Sequence, residues 1–579
     1  MRSLLRQYLY RLRNRCVPVA AKRARLQSFP SRLRSLTSVP SPMFQTGLLI
    51  LTSSPRILTC NVAAYLKAAK HIVNKTLYIK LEPNRHQLWP VQQPVFTPSE
   101  LSLIRKLIPD IYYKAAGACS HLDIRVLQSC FKDTHGNEEH LRASFDVVLT
   151  DTIQEITDVE RYVNHQFNRK CTNYQNLADK LPQGSQDGGV SNNHDLTTNG
   201  CFRTYESVCL GGTFDRLHIG HKVLLSEAVL HASEKVVIGV TDGDMLKGKL
   251  LWELIEPIEV RIKVLTEFLE EVDSTLKYDV MPIYDPYGPT IVDPNLKCLY
   301  VSDETLKGGK RVNEERAKRG MPPMVLRSVS LAEDVCRTGH EEFKISSSTL
   351  RSRALGTILQ PPQAKPNLAK WPYVIGLTGG ICAGKSHISE LLGKLGAAVI
   401  NCDKLGHETY LPGRPAYAKV VNAFGKGILN ADETVDRKKL GAIVFADEEK
   451  RKLLNSFVWP EIGALLQQKI KDISHNGTKV VVLEVAMLLE AGWDEHVHQV
   501  WVSIVPEKEA IRRIMERDNL TEEQALQRVH AQQSNKEKVA KANVVFSTLW
   551  EYSITEQQVQ RAWKELQLYL NSEELQSHN

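Results

Sequence analysis

Short apolar runs recur along most of the chain and alternate with longer stretches in which apolar residues return every three or four positions. The short runs are typical of buried strands, and the longer stretches are typical of amphipathic helices. Between residues 201 and 358 the pattern predicts a helix ending near His231, another at 258–270, and strands at 207–210, 236–240, 278–283 and 297–302. This alternation indicates a doubly wound parallel sheet.

The same alternation returns after residue 372. A helix is predicted at 387–395, with strands at 374–378, 398–400, 480–485, 501–505 and 543–546. Nearer the start, a separate α/β domain is predicted from strands at 76–81 and 144–149 and helices at 100–113 and 155–167. The expected fold class is therefore α/β, with two doubly wound parallel-sheet domains after an α/β N-terminal region.

Domain boundaries follow from composition. The chain is too long for one hydrophobic core, since domains usually span about 100–200 residues. Residues 168–200 are rich in Asn, Gln, Gly, Ser and Asp, and residues 359–372 are rich in Pro, so both predict linkers. We expect domains at 43–167, 201–358 and 373–579, preceded by a basic segment at 1–42. The first domain has no recognisable nucleotide loop or metal cluster, so its role stays open.

The formal net charge of +8 comes from the beginning of the chain. Residues 1–81 carry 15 Lys and Arg and no Asp or Glu, which leaves 59 basic against 66 acidic residues in the remainder. An acidic remainder argues against a nucleic-acid-binding surface. The eleven cysteines form no CxxC pair, so we interpret them as free thiols.

The basic segment at 1–42 combines Arg, Ser and Leu without any acidic residue, which is typical of a mitochondrial presequence. A disordered basic tail and translation from Met43 are the alternatives. The apolar run at 47–51 is far shorter than the roughly 20 residues that a membrane-spanning helix needs. Peripheral attachment of this basic and apolar region to a mitochondrial membrane stays open. The expected location is mitochondrial, in the matrix or at the outer membrane, or cytoplasmic, and the N-terminal region is a candidate for binding protein partners.

The strand at 207–210 leads directly into a glycine-rich loop that ends in two histidines three positions apart. Glycines let the backbone approach phosphates, and the start of the following helix offers free N–H groups to an anion. Both imidazoles fall on one helix face, so they can reach one phosphate. The candidate residues are Gly211, Gly212, Thr213, Phe214, His218, Gly220 and His221.

Together with a later hydroxyl-rich segment, this loop resembles the (T/H)xGH nucleotidyltransferase superfamily, whose second phosphate motif is ISSTxxR. Here that motif comprises Ser346, Ser347, Ser348, Thr349 and Arg351. The resemblance implies that a substrate phosphate attacks the α-phosphorus of ATP without a covalent enzyme intermediate. It also implies that His218 and His221 stabilise the transition state, that Thr213 orients the acceptor phosphate, and that Lys247 or Lys249 neutralises charge. The stretches 285–289 and 302–305 resemble eukaryotic phosphopantetheine adenylyltransferases more than bacterial ones.

The second nucleotide motif is an unbroken GxxxxGKS loop between the strand at 374–378 and the helix at 387–395. In such a loop backbone N–H groups cradle the phosphates, the lysine reaches the β and γ oxygens, and the serine hydroxyl binds Mg²⁺. Its residues are Gly379, Gly380, Ile381, Cys382, Ala383, Gly384, Lys385 and Ser386. Asp403 follows the next strand, where it either accepts a hydroxyl proton or caps a helix. The helical run that contains Arg517 is either a solvated face or a mobile lid that clamps ATP.

The region 373–546 resembles dephospho-coenzyme A kinases over almost its whole length, through GGIxxGKS, VIxxD, LLExG, RDxLTEEQALQR and NVVFST. It departs from the bacterial pattern at Asn401, at Trp459-Pro460 and at Glu484, which stand where Asp, His-Pro and Asp are common. These changes leave the ATP site intact, but they leave open whether Glu484 contributes to metal binding.

An adenylyltransferase joined to such a kinase resembles the bifunctional coenzyme A synthases of animals. The resemblance implies that 4′-phosphopantetheine and ATP give dephospho-CoA and pyrophosphate, and that a second ATP phosphorylates the ribose 3′-hydroxyl, both steps with Mg²⁺. A fusion of nicotinamide mononucleotide adenylyltransferase with ribosylnicotinamide kinase is the nearest alternative, and the kinase motifs after Asp403 argue against it. A membrane-tethered scaffold with degenerate nucleotide sites is a second alternative, which the intact His218, His221 and Lys385 oppose.

Overall fold

The computed structural model describes residues 44–91, 97–128, 145–178, 203–330, 333–334, 337–339 and 341–577. These residues form two compact units that divide between Leu350 and Arg351. The first unit contains two five-stranded parallel sheets, and the second contains a third. The predicted α/β class with parallel sheets is confirmed. The basic segment at 1–42 and residues 179–200 of the first predicted linker lie outside the described residues.

The N-terminal sheet has the strand order β3-β2-β1-β4-β5, and every neighbouring pair is parallel. Its elements are β1 (Phe44–Leu51), α1 (Pro55–Ala69), β2 (Val73–Leu81), α2 (Pro98–Ala118), β3 (Asp123–Val126), β4 (Val147–Thr150), α3 (Ile156–Phe167) and β5 (Tyr174–Asn176). Strand β1 lies at the centre of the sheet, and Leu48, Leu49, Ile50 and Leu51 have no exposed surface. The apolar run at 47–51 is therefore core, and it offers no surface to a membrane.

The second sheet has the order β10-β9-β6-β7-β8, again parallel throughout. Its elements are β6 (Tyr205–Gly212), α4 (Ile219–His231), β7 (Ala232–Thr241), α5 (Ile258–Val272), β8 (Lys277–Ile283), β9 (Cys298–Ser302), α6 (Leu306–Lys318), β10 (Val325–Val329) and α7 (Ser347–Ala354). The strands and helices predicted for this region are confirmed, with ends that differ by a few residues. The helix α4 begins where the glycine-rich loop ends, so the loop lies at the carboxyl edge of the sheet.

The third sheet, in the second unit, has the parallel order β12-β13-β11-β14-β15. Its elements are β11 (Tyr373–Gly379), α8 (Lys385–Lys394), β12 (Ala398–Asn401), α9 (Cys402–Glu408), α10 (Pro415–Phe424), α11 (Arg437–Ala446), α12 (Glu448–His475), β13 (Val480–Glu484), β14 (Gln499–Ile504), α13 (Glu507–Asp518), α14 (Glu522–His530), α15 (Asn535–Ala540), β15 (Val544–Ser547) and α16 (Tyr552–Ser577). All five strands predicted for this region are confirmed.

Two predicted boundaries are wrong. The first linker does not begin at residue 168, because β5 pairs with β4 and extends the N-terminal sheet to Asn176. The second domain does not end at residue 358, because the backbone N–H groups of Gly356 and Leu359 donate to the carbonyl oxygens of Val545 and Asn543 at 2.9 and 2.8 Å. Residues 355–359 therefore belong to the unit of the third sheet.

Among the helices in the described part of the chain, none combines the length and the apolar character that crossing a membrane would require.

Candidate active sites

The first site is built where β6 passes into α4. His218 is the extended residue before the helix and His221 lies in its first turn, so the two imidazole rings stack with centroids 3.8 Å apart. Gly220 lies directly beside the His218 ring, since a Cβ atom at this position would be 3.2 Å from it. Phe214 is buried against His221, with ring centroids 5.2 Å apart. The two predicted histidines are thus brought together on one face.

Both histidines are held in the neutral form. Burial is the main cause that lowers the pKa of His218 well below its usual value, and the neighbouring His221 and Lys222 lower it further. Burial also lowers the pKa of His221, to about 4. Within the described residues, the Nδ1 atoms of both rings are buried without a hydrogen-bond partner. Neutral imidazoles can each donate one N–H bond, which suits the oxygens of a phosphate.

A fully buried arginine holds the loop beside these histidines. The Arg261 guanidinium on α5 donates to the carbonyl oxygens of Thr213 and Thr241 at 2.8 and 2.7 Å, and it pairs with Asp242 at 2.9 Å. Asp215 is also buried, and its carboxylate accepts the backbone N–H of Glu256 at 3.0 Å. Thr213 is therefore fixed through its backbone. Sequence reasoning missed Arg261 and Asp215 as parts of the site.

The second phosphate motif lies next to the first. The Ser347 hydroxyl donates to the carbonyl oxygen of Asp215 at 2.9 Å, across 132 positions of sequence. Ser346 accepts the backbone N–H of Thr349 at 3.2 Å, and its hydroxyl lies 2.9 Å from that of Ser348. These hydroxyls therefore gather at the start of α7, beside the Gly211–His221 loop, as the sequence predicts. Arg351 lies further along α7 and is buried.

Lys247 is the predicted residue that the structure does not bring to this site. It follows a short 3₁₀ helix at Gly243–Leu246, and its side chain is 64% exposed. Its ammonium group pairs with Asp244 at 2.7 Å, also at the surface. Among the described residues, Lys247 makes no contact with the histidines. Its predicted role, the neutralisation of charge during adenylyl transfer, therefore stays a prediction that the geometry does not support.

The second site is the phosphate loop between β11 and α8. Gly379 adopts a φ of 154°, and a side chain there would collide with the Ser503 carbonyl oxygen at 2.2 Å, so glycine is required. Lys385 donates through Nζ to the carbonyl oxygens of Gly379 and Gly380 at 3.1 and 3.0 Å. The loop lines a cavity of about 480 Å³ together with Arg513 and Arg517. Arg517 therefore borders the loop, and its role in clamping ATP stays a prediction.

Two further side chains, one from α13 and one from the segment after α14, form hydrogen bonds with the backbone of this loop. Arg513 donates to the carbonyl oxygen of Cys382 at 3.2 Å and to the Thr548 hydroxyl at 2.9 Å. The Gln532 side-chain oxygen accepts the backbone N–H of Ile381 at 2.8 Å. Both residues belong to the charged run that the sequence offered as a solvated face or a lid, but only Arg517 was selected from it as a site residue.

A cluster of oxygen ligands lies at the start of α8. The Ser386 hydroxyl donates to the buried carboxylate of Glu484 at 2.6 Å, and the Ser389 hydroxyl donates to its other oxygen at 2.9 Å. Hydroxyl and carboxylate oxygens are the ligands that Mg²⁺ prefers, so these residues fit the ion that the family resemblance implies. The carboxylate of Glu484, whose role the sequence left open, therefore accepts a hydrogen bond from Ser386, the predicted metal ligand.

Asp403 lies in the first turn of α9 and is an exposed residue, but the protein atoms around its carboxyl group remove part of its hydration. The cap of this helix is Asn401, whose side-chain oxygen accepts the Lys404 N–H at 2.9 Å, so the capping alternative for Asp403 is wrong. Burial raises the pKa of Asp403, and the Lys385 charge opposes the shift. Burial lowers the pKa of Lys385, and Asp403 and Glu484 oppose that shift. The three groups therefore lie within electrostatic range of one another beside the loop.

In the comparison with known proteins, a different family model matches the region of each of the three sheets. Residues 45–178 match the family model described as COASY N-terminal domain, residues 209–353 match Cytidylyltransferase-like, and residues 373–549 match Dephospho-CoA kinase. The dephospho-CoA kinase of Carboxydothermus hydrogenoformans is 41% identical over 32% of this chain and 90% of its own length. That of Geobacter sulfurreducens is 40% identical over 33% of this chain and 96% of its own. The solved dephospho-CoA kinase from Campylobacter jejuni matches at 29% identity with a TM-score of 0.28, covering 33% of this chain and 96% of that chain.

Proposed function

Because the chain belongs to the dephospho-CoA kinase family, and joins that kinase to a cytidylyltransferase-like domain and a COASY-type N-terminal domain, we propose that it catalyses the last two steps of coenzyme A synthesis in succession. The observation that carries the proposal is the presence of two separate phosphate loops, each between a strand and a helix, on one chain. The first loop serves adenylyl transfer and the second serves phosphoryl transfer.

In the first step a phosphate oxygen of 4′-phosphopantetheine bonds to the α-phosphorus of ATP, and the bond from that phosphorus to the β-phosphate bridge breaks. The products are dephospho-CoA and pyrophosphate. His218 and His221, being neutral, donate hydrogen bonds to oxygens whose charge grows in the transition state. The hydroxyl cluster at Ser346–Ser348 holds the departing phosphates, and Arg261 keeps the Thr213 backbone at the acceptor side.

In the second step the ribose 3′-hydroxyl of dephospho-CoA bonds to the γ-phosphorus of a second ATP, and ADP leaves. Asp403 receives the hydroxyl proton, for which the raised pKa of its carboxyl suits it. Lys385 stabilises the phosphate charge, and Arg513 and Arg517 border the same cavity. When bound, Mg²⁺ would neutralise phosphate charge, held by Ser386 with Glu484 behind it.

Substrate choice tests the proposal directly. Purified protein is supplied with ATP and Mg²⁺ and either 4′-phosphopantetheine or nicotinamide mononucleotide, and pyrophosphate release is followed. We expect pyrophosphate with 4′-phosphopantetheine and only background with the mononucleotide. Release with nicotinamide mononucleotide alone would replace the proposal by its nearest alternative, and release with neither would favour a nucleotide-binding scaffold.

We also propose a mitochondrial location, in the matrix or at the outer membrane, on the basis of the acid-free, arginine-rich residues 1–42. Incubating isolated mitochondria with the chain from Met1 and with a version from Met43 tests it. Only the longer form should become protease-resistant or sediment with the membranes. Equal behaviour of both forms would contradict the targeting role.

A further inference from the structure

A charged junction connects the N-terminal sheet to the helix that carries the catalytic histidines, within one compact unit. Lys222 on α4 forms an ion pair with Asp123 at the start of β3. Its ammonium group also donates to the carbonyl oxygen of Ile124 at 3.1 Å. The Lys222 side chain is 7% exposed, whereas that of Asp123 is 34% exposed. Lys222 is therefore buried against the N-terminal domain, whereas its acidic partner Asp123 is partly exposed.

The same strand also holds the end of α5. Arg125 pairs with Asp123 at 2.8 Å and forms a second ion pair with Glu271. The Tyr78 hydroxyl donates to Glu271 at 3.2 Å. Burial alone would raise the pKa of Asp123, but Lys222 and Arg125 together lower it below its usual value. The carboxylate is thus charged at neutral pH and holds two cations at once.

The lysine belongs to the helical turn that carries both histidines. Lys222 follows His221 directly, and its backbone N–H donates to the carbonyl oxygen of His218 at 3.0 Å. Its side chain extends from this turn to Asp123 and the carbonyl oxygen of Ile124, so the ion pair attaches the turn to the N-terminal sheet. A displacement of the Lys222 backbone would disturb this hydrogen bond and with it the position of His218.

Removing the acidic partner would leave a buried ammonium group beside Arg125. An unpaired buried charge is strongly unfavourable, and the structure relieves it by moving the charged group toward water. The turn that would have to move is the first turn of α4. Displacements of about 1 Å at a reacting group can lower the rate by about a hundredfold.

We propose that Asp123 is a positioning residue for adenylyl transfer, which holds Lys222 and with it the turn that presents His218 and His221. The COASY-type domain is then a working part of the adenylyltransferase site. This inference rests on the proposed function. The kinase loop lies in the other unit and supplies an internal control.

The test uses the full chain with Asp123→Asn, Lys222→Met and the double variant, and it measures both reactions. We expect Asp123→Asn to lower kcat for adenylyl transfer roughly tenfold to a hundredfold, with KM for ATP changed by less than about threefold. The rate of dephospho-CoA phosphorylation should be unchanged. Adding Lys222→Met to Asp123→Asn should recover part of the lost kcat, because the double variant leaves no ammonium without its carboxylate.

Tyr78→Phe is the matched control, since it removes a hydrogen bond to Glu271 at the α5 side of the same junction. It should leave kcat for adenylyl transfer near the wild-type value. If Asp123→Asn lowered Tm but left kcat for adenylyl transfer unchanged, the ion pair would only stabilise the fold, and the proposal would be overturned. No recovery in the double variant would overturn it as well. A wild-type chain without adenylyl transfer would instead refute the proposed function.

Discussion

Buried polar residues outside the two glycine-rich loops hold both of those loops. Arg261 binds the carbonyl oxygen of Thr213, and Glu484 accepts the hydroxyl hydrogen bonds of Ser386 and Ser389. Such side chains are costly to bury unless every polar atom has a partner, and here the partners are the loops themselves. Substitution of these residues should therefore change catalysis through loop geometry.

Arg261→Lys keeps the positive charge but loses the planar fork that serves several acceptors at once. Because Thr213, Thr241 and Glu256 would no longer share one donor, we expect kcat for adenylyl transfer to fall by about tenfold or more, with the kinase rate unchanged. Steady-state assays of both reactions measure this. Arg311→Lys, at an exposed position on α6, is the control. Equal kcat values for Arg261→Lys and wild type would contradict the role.

The catalytic histidines should stay neutral in mildly acidic solution. Their pKa values are lowered, that of His221 to about 4, so protons bind only as the pH falls well below the usual histidine pKa of about 6.5. NMR of ring-labelled histidine, assigned by loss of signals in His218→Ala and His221→Ala, should show no titration of either ring between about pH 8 and pH 5.5. A midpoint near 6.5 for either ring would contradict the burial argument.

The motif residues could be predicted from sequence because a glycine-rich loop between a strand and a helix is a local structure. His218, His221, Lys385 and Ser386 accordingly lie where expected. Arg261 left a signal that was not used, since it shares the buried stripe of α5 with Leu265, Phe268 and Val272. The contact of Gln532 with Ile381 left no signal, because it spans 151 positions.

At the scale of elements, strands β7, β11 and β13 follow the apolar runs closely, because they are largely buried. The missed strands β3, β5 and β10 lie at sheet edges, whereas β1, which was also missed, lies at the centre of the N-terminal sheet. Strand β5 has three half-buried residues, Tyr174–Asn176, without an apolar run. Residues 355–359 contact β15 and the residue before it through backbone hydrogen bonds, which the pattern of apolar and polar side chains does not indicate.

Helix α13 is the element whose function is easiest to test. Arg517 borders the cavity of the phosphate loop and is 55% exposed, whereas Arg512 pairs only with Glu509 and Glu516 in its own helix among the recorded ion pairs of the described residues. Losing a charge-assisted hydrogen bond to a phosphate should lower kcat/KM for ATP in the kinase step by about tenfold to a hundredfold in Arg517→Met. Arg512→Met should match wild type. If the two variants behave alike, the predicted clamp is wrong.

At the scale of the whole molecule, the number of α/β domains and their order were predictable, because each domain has its own repeating pattern. The union of the first two sheets in one compact unit was not. It depends on pairs such as Asp123 with Lys222, which are 99 positions apart and belong to no motif. Contacts of this kind depend on the surfaces that folding creates.

The central claim is that one chain carries two independent ATP-dependent sites, and product analysis of two single variants tests it most directly. With 4′-phosphopantetheine and excess ATP, Lys385→Ala should accumulate dephospho-CoA, whereas His221→Ala should make almost no product, yet phosphorylate added dephospho-CoA at the wild-type rate. Each loss should be at least about a hundredfold. If either substitution abolished both reactions, or neither, the assignment of one phosphate loop to each step would be contradicted.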